Sequence, residues 1–164
     1  MTTTTNRKNT TKTLTALAIK RLKSRKFFYA REVSFDKGTP QERRIDIIGF
    51  KPFTPNYAVE PTSVEIGNFE CYEIKSCMSD LTSGNGLTFY GDHNYLVCPM
   101  ELYRQIKDQR MDIPGINSIL CPGRSGTCLL PHPPVGSSPE KQSYRKRPAS
   151  EMLWQMIKAR NWDE

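Results

Sequence analysis

Two short apolar runs in this chain carry groups capable of chemistry. Ile45-Asp46-Ile47-Ile48-Gly49-Phe50 holds one acid among isoleucines, and Phe69-Glu70-Cys71-Tyr72-Glu73-Ile74-Lys75-Ser76 holds an acid and an amine two residues apart. Read as a strand, the second run turns Tyr72 and Ile74 to one face and Cys71, Glu73 and Lys75 to the other. An acid inside an isoleucine-rich run is costly to bury unless something pairs with it. If the two strands are neighbours, Asp46, Glu73 and Lys75 converge. Two carboxylates, a lysine and the main-chain carbonyl of Ile74 suit a hard divalent cation and a water held beside it. The competing reading is a salt bridge from Lys75 to Asp46 or Glu73 that seals a strand end. Buried ionic pairs are a poor route to stability, which favours the first reading.

The segments that must position these residues follow from periodicity and punctuation. Residues 1–11 are threonine-rich and read as a disordered arm. A helix is expected from about Thr11 to Arg25, burying Leu14, Leu17, Ala18 and Leu22. Residues 27–35 read as a strand, Asp36-Lys37-Gly38-Thr39-Pro40 as a turn, and the Asp46 run as the returning arm of a hairpin. Glu32, near the middle of the first arm, then faces Asp46, either as an extra ligand or as the partner of Arg43 or Arg44. Residues 51–68, with three prolines, read as an extended connection or flap. A short helix breaking at Gly84 and Gly86 follows the Glu73 strand. Next come a strand at Tyr95–Cys98, a helix at 100–110 burying Leu102, Tyr103 and Ile106, and short strands at 116–121 and 127–130. Residues 131–149, with Lys141, Arg145, Lys146 and Arg147, read as a mobile proline-rich segment. Ser150 is placed to cap a last helix that buries Met152, Leu153, Met156 and Ile157. The sum is one domain over residues 12–164, of α/β or α+β class, with a mixed central sheet flanked by helices.

The 164 residues suffice for one core, and the net charge of +7 favours a polyanionic partner, most often nucleic acid. No apolar run is long enough to span a bilayer, and the first residues lack the apolar core of a signal peptide, so the expected location is cytoplasmic. Five cysteines, an odd number, argue against a disulfide framework. From Arg7 through Arg31 every charged residue is basic. Such a face is either simply solvated or phosphate-contacting, and the lack of interspersed acids favours contact. Lys12, Lys20, Arg21 and Lys23 on the helix, with Arg43 and Arg44 at the start of the second strand, are the candidate DNA contacts.

The order acid, then Glu73-Ile74-Lys75 on an apolar strand downstream of a hairpin, resembles the PD-(D/E)XK nuclease superfamily. Asp46 matches its first acid and Glu73-Ile74-Lys75 its E-X-K element. Within it, Glu32-Val33, Arg43-Arg44-Ile45-Asp46, Glu73-Ile74-Lys75-Ser76, Asp80-Leu81 and Tyr90-Gly91-Asp92-His93-Asn94-Tyr95-Leu96-Val97 with Pro99 are similar in order to the MmcB-like family of DNA repair proteins. That resemblance covers about residues 14–121. It implies a restriction-endonuclease-like core, a catalytic set of Asp46, Glu73, Lys75 and Glu32, and Mg²⁺ or Mn²⁺ held by Asp46, Glu73 and Ile74. DNA would be the substrate, and a homodimer is left open. The alternative is a catalytically weak or inactive nuclease-fold protein that binds DNA or serves a phage or mobile element.

Other candidates carry less. His93 fits an exposed or capping role better than a catalytic one. Cys121, Cys128 and His132 lack zinc-ligand spacing. Ser83-Gly84-Asn85-Gly86 lacks the lysine and helix of a P-loop, although its glycines let backbone approach a ligand closely. Trp154 and Trp162 read as packing residues.

Overall fold

The two acid-bearing runs lie side by side in one six-stranded sheet. The structure, a computed structural model, describes residues 2–54, 60–136 and 144–160. Helix α1 (Thr2–Ser24) precedes the hairpin of β1 (Phe28–Phe35) and β2 (Arg43–Lys51). Helix α2 (Glu60–Glu65), strand β3 (Asn68–Ile74) and the single turn α3 (Met78–Leu81) lead to β4 (His93–Val97). Helix α4 (Met100–Asp108), strands β5 (Ser118–Pro122) and β6 (Leu129–His132), and helix α5 (Ala149–Ala159) complete the order.

The strands lie in sequence order, β1 to β6. Pairing is antiparallel from β1 to β3, parallel from β3 to β5, and antiparallel again for β5 with β6. The fold is thus α+β with an open mixed sheet. Parallel strands need crossovers, and the segments carrying α3 and α4 supply them. Strand β3, in the interior of the sheet, is buried along nearly its whole length.

Helices cover both faces. On one, Leu14, Leu17, Ala18 and Leu22 of α1 pack on Ile47, Tyr72, Ile74, Tyr95, Val97 and Leu120. On the other, Met152 and Met156 of α5 pack on Val33, Phe35, Ile45, Ile48, Phe69 and Cys71. Further along that side, Leu102, Tyr103 and Ile106 of α4 cover Leu96, Ile119 and Cys121. Among the described residues no helix is long and apolar enough to cross a membrane.

Several expectations are corrected here. Helix α1 starts at Thr2, so the supposed disordered arm forms the first turns of the helix. The connection 51–68 contains α2, anchored by the Phe53 amide donating to the Ser63 carbonyl at 2.9 Å. Helix α5 begins at Ala149 with Pro148 at the cap position and no side-chain cap bond, so Ser150 is not the cap. Ile157 and Trp154 are exposed rather than packed.

The basic end of the proline-rich segment is pinned. The Arg145 guanidinium lies 5.1 Å from the Phe69 ring centroid and donates to the Gly67 carbonyl. Arg147 bonds Asp36 and Glu151 and stacks on Tyr90. Lys141 and Trp162 lie outside the described residues.

Candidate functional site

Strict alternation along a hairpin would send Asp46 to the face of Ile48. The residues around it show a slip instead. Ile45 and Ile48 both pack on the α5 side, while Ile47 between them packs on α1. Strand β1 slips at the matching place: Ala30, Val33 and Phe35 all face α5, and Glu32 between them has φ +51°. The ladder stays in register across the slip, with Arg31 opposite Ile47 and Val33 opposite Ile45, so Glu32 and Asp46 lie opposite each other. A glutamate in left-handed backbone is strained, and such strain persists only where surrounding packing enforces it.

The register of β2 with β3, Ile47 opposite Tyr72 and Ile48 opposite Cys71, carries Asp46 to the level of Glu73. There Asp46 Oδ2 accepts the Ile74 amide at 2.8 Å, using a backbone donor at the end of the ladder. Glu32, Asp46, Glu73 and Lys75 all line one cavity of about 810 Å³, together with Arg43, Arg44 and the 84–86 turn. The expected convergence is therefore present in the structure.

The electrostatics of the cavity are unusual for two acids. Glu73 is 2% exposed and Lys75 4%. Lys75 Nζ lies 3.5 Å from Glu73 Oε1 and 3.8 Å from Asp80 Oδ1, and donates to the Asn85 carbonyl at 2.8 Å. The salt-bridge reading is thus partly realised, but it leaves one oxygen over. Glu73 Oε2 is buried with no hydrogen-bond partner among the described residues. Burial, reinforced by the nearby Asp46 carboxylate, pushes the Glu73 carboxyl up to about 7, against the opposing pull of Lys75 and of the Leu87 amide. Burial also raises Asp46; the Ile74 amide opposes that shift and Glu32 adds to it.

The 84–86 turn closes on the acid. Gly86 has φ +74°, and a Cβ there would fall 1.7 Å from Glu73 Oε1. Only glycine satisfies both the backbone angle and the contact. Asp80 braces the strand end, accepting the Ser76 amide at 3.1 Å through Oδ2 while its other oxygen faces Lys75.

An orphaned buried carboxylate oxygen beside a second acid fits a cation, which would supply the missing partner. Among the described residues no group of three His, Cys, Asp or Glu side chains is placed to hold a metal. Asp46 and Glu73 are the two carboxylates that could hold such an ion, a set that suits Mg²⁺ because that ion keeps waters and takes substrate oxygens.

Glu32 sits at the rim, paired with Arg44 at 2.9 Å, so in this structure it takes the ion-pair alternative. Of the expected DNA contacts, Arg43 and Arg44 line the cavity and Lys12 is exposed on α1. Lys20 is committed to the Thr127 carbonyl at 2.8 Å. Arg21 lies over the Tyr95 ring with its Nε buried, and Lys23 lies over Tyr29. Lys20 nevertheless stays exposed, whereas Arg21 is half-buried.

One polar cluster went unread in the sequence. Glu70, 1% exposed, is gripped by Arg25 in a two-pronged contact at 2.7 and 2.8 Å and by the Tyr72 hydroxyl at 2.6 Å. The visible signal is a second acid in the β3 run, on the face of Tyr72, with an arginine just past the end of α1.

Comparison with family models, with curated proteins and with solved structures found no match.

Proposed function

We propose that this chain is a Mg²⁺- or Mn²⁺-dependent DNA nuclease or DNA-processing protein with a restriction-endonuclease-like core, acting on phosphodiester bonds. The observation that supports it best is the unpartnered, buried Glu73 oxygen beside Asp46 in a cavity open to solvent. A fold stabilised for its own sake would pair or exclude such an atom. Asp46, Glu73 and the Ile74 carbonyl would hold the ion. When bound, the ion polarises a phosphate oxygen and lowers the pKa of a coordinated water. Lys75, fixed by the Asn85 carbonyl, presents one positive charge to the reacting phosphate and steadies Glu73. Arg43 and Arg44 at the cavity rim offer contacts to the flanking backbone.

Incubating the purified chain with plasmid and Mg²⁺ tests this reading. Cleavage is expected for the wild type and a loss of at least about a hundredfold for Asp46→Asn and for Glu73→Gln. Equal rates for wild type and Asp46→Asn overturn it.

The second reading, DNA binding without cutting, has its own support: among the described residues no three His, Cys, Asp or Glu side chains are grouped to hold a metal, and Glu32 is paired with Arg44. Binding without cleavage in either metal favours it.

A further inference from the structure

We infer that a groove between the first half of α1 and strand β1 is the track along which one DNA strand runs into the Asp46–Glu73 cavity. This rests on the nuclease-fold reading and names the surface that serves it. The groove encloses about 630 Å³ and shares Thr11, Thr15, Arg31 and Asp80 with the acidic cavity, so the two form one continuous depression. Its lining carries the four cations Arg7, Lys8, Lys12 and Arg31 against one acid, Asp80, at the end shared with the acidic cavity.

Helical spacing explains the arrangement. Arg7, Thr11, Thr15 and Ile19 recur every four residues, and Lys8, Lys12 and Ala16 form the adjacent row. Both rows therefore lie on one face. At 1.5 Å per residue the face from Arg7 to Ile19 is about 18 Å long, enough to follow a short run of phosphates along one strand.

Nothing within the fold accounts for this charge. Helix α1 contains no acid, so its basic residues repel one another, with Lys8 and Lys12 one turn apart. Arg7 and Lys8 also lie in the half of the helix nearer its positive dipole end. Among the described residues, none of Arg7, Lys8, Lys12 and Arg31 has an acid within ion-pair distance. Lys20, Arg21 and Arg25 further along the helix are engaged by Thr127, Tyr95 and Glu70. Arg7, Lys8 and Lys12, with Arg31 beside them, thus border the groove without an acid partner among the described residues, and a phosphate backbone is the ligand that matches a linear row of them. The polarity of the joined surface, basic along the groove and acidic at its end, would hold a strand by its phosphates and present one of them to the acids.

Fluorescence anisotropy with a labelled 20-base-pair duplex, in EDTA to prevent cutting, tests the assignment. The full chain carrying Arg7→Gln, Lys8→Gln, Lys12→Gln and Arg31→Gln is compared with one carrying Arg104→Gln, Lys107→Gln, Lys158→Gln and Arg160→Gln, which removes equal charge from exposed sites on α4 and at the end of α5. The groove variant is expected to bind at least about tenfold more weakly, with the slope of log affinity against log salt reduced by about 3 to 4. The control should lose far less. Equal losses in both variants overturn the track, as does binding of the wild type to phosphatidylserine vesicles in preference to DNA. Circular dichroism confirms that each variant is folded; if the quadruple change unfolds α1, Lys8→Gln with Lys12→Gln alone is expected to lower the slope by about 2. Because no cleavage is measured, failure here leaves the Asp46→Asn test of the nuclease reading untouched.

Discussion

Glu73 keeps its proton to about pH 7 in the folded chain, against 4.5 for an ordinary glutamate. As pH rises through that window the unfolded chain loses its proton first and is favoured. Stability of the metal-free protein should therefore fall between about pH 4.5 and about pH 7. The contribution is on the order of 3 kcal/mol at most. The raised Asp46 carboxyl acts in the same direction at the lower end of the range. Urea melts at several pH values check this: Glu73→Gln should flatten the slope, and a wild type that gains stability across the window would falsify the burial argument. Mg²⁺ added at pH 6 should release protons into weakly buffered solution from the wild type and not from Glu73→Gln. Lys75→Met should abolish cleavage while leaving duplex affinity within about threefold, because grip on DNA comes from cations outside the cavity. Gly86→Ala places a methyl on the Glu73 carboxylate in a backbone region alanine avoids. A loss of about 2 kcal/mol in stability and loss of cleavage are expected, read by thermal melts and plasmid nicking.

The elements differ in how plainly their sequences announce them. The hairpin, the Glu73 strand and α4 were legible because apolar period and turn residues agree. Leu102, Tyr103 and Ile106 are buried as the spacing predicts, and so are the leucines of α1. The start of helix α1 is not legible because its first turns are threonine-rich and carry no apolar stripe of their own. Helix α2 was hidden among prolines, since Pro61 suits a first helical turn as well as a loop. The slip at Glu32 and Asp46 was not legible: alternation was assumed to hold, and only the packing of α1 and α5 on opposite faces reveals where it breaks. That slip makes a sharp prediction about β1. Glu32→Gly, which relaxes the left-handed backbone, should change stability by less than about 0.5 kcal/mol, the exposed Arg44 pair being weak. Glu32→Val, which suits a strand but not this angle, should cost about 1 to 2 kcal/mol in chemical denaturation.

At the scale of the whole molecule, one partly buried ionic contact ties the residue just after α1 to the centre of the sheet. Arg25 reaches Glu70 across 45 residues of chain, and the pairing raises Arg25 above an ordinary guanidinium. Such long-range partners are invisible to spacing rules, which is why the acid of the β3 run with the clearest structural role was passed over in favour of Glu73. Removing the cation leaves the buried acid with the Tyr72 hydroxyl: Arg25→Met is expected to cost about 1 to 2 kcal/mol, measured by urea denaturation, and to cost less when Glu70→Gln is made with it.

The sheet is open, yet neither margin invites another chain. Strand β6 has Pro131 opposite Leu120 and is followed by Pro133 and Pro134, so its outer rim lacks the donors an incoming strand needs. Strand β1 at the far margin is kinked at Glu32 and bears Arg31 and Glu32 exposed to water. Fibril seeding by strand addition is accordingly disfavoured at both margins of the sheet.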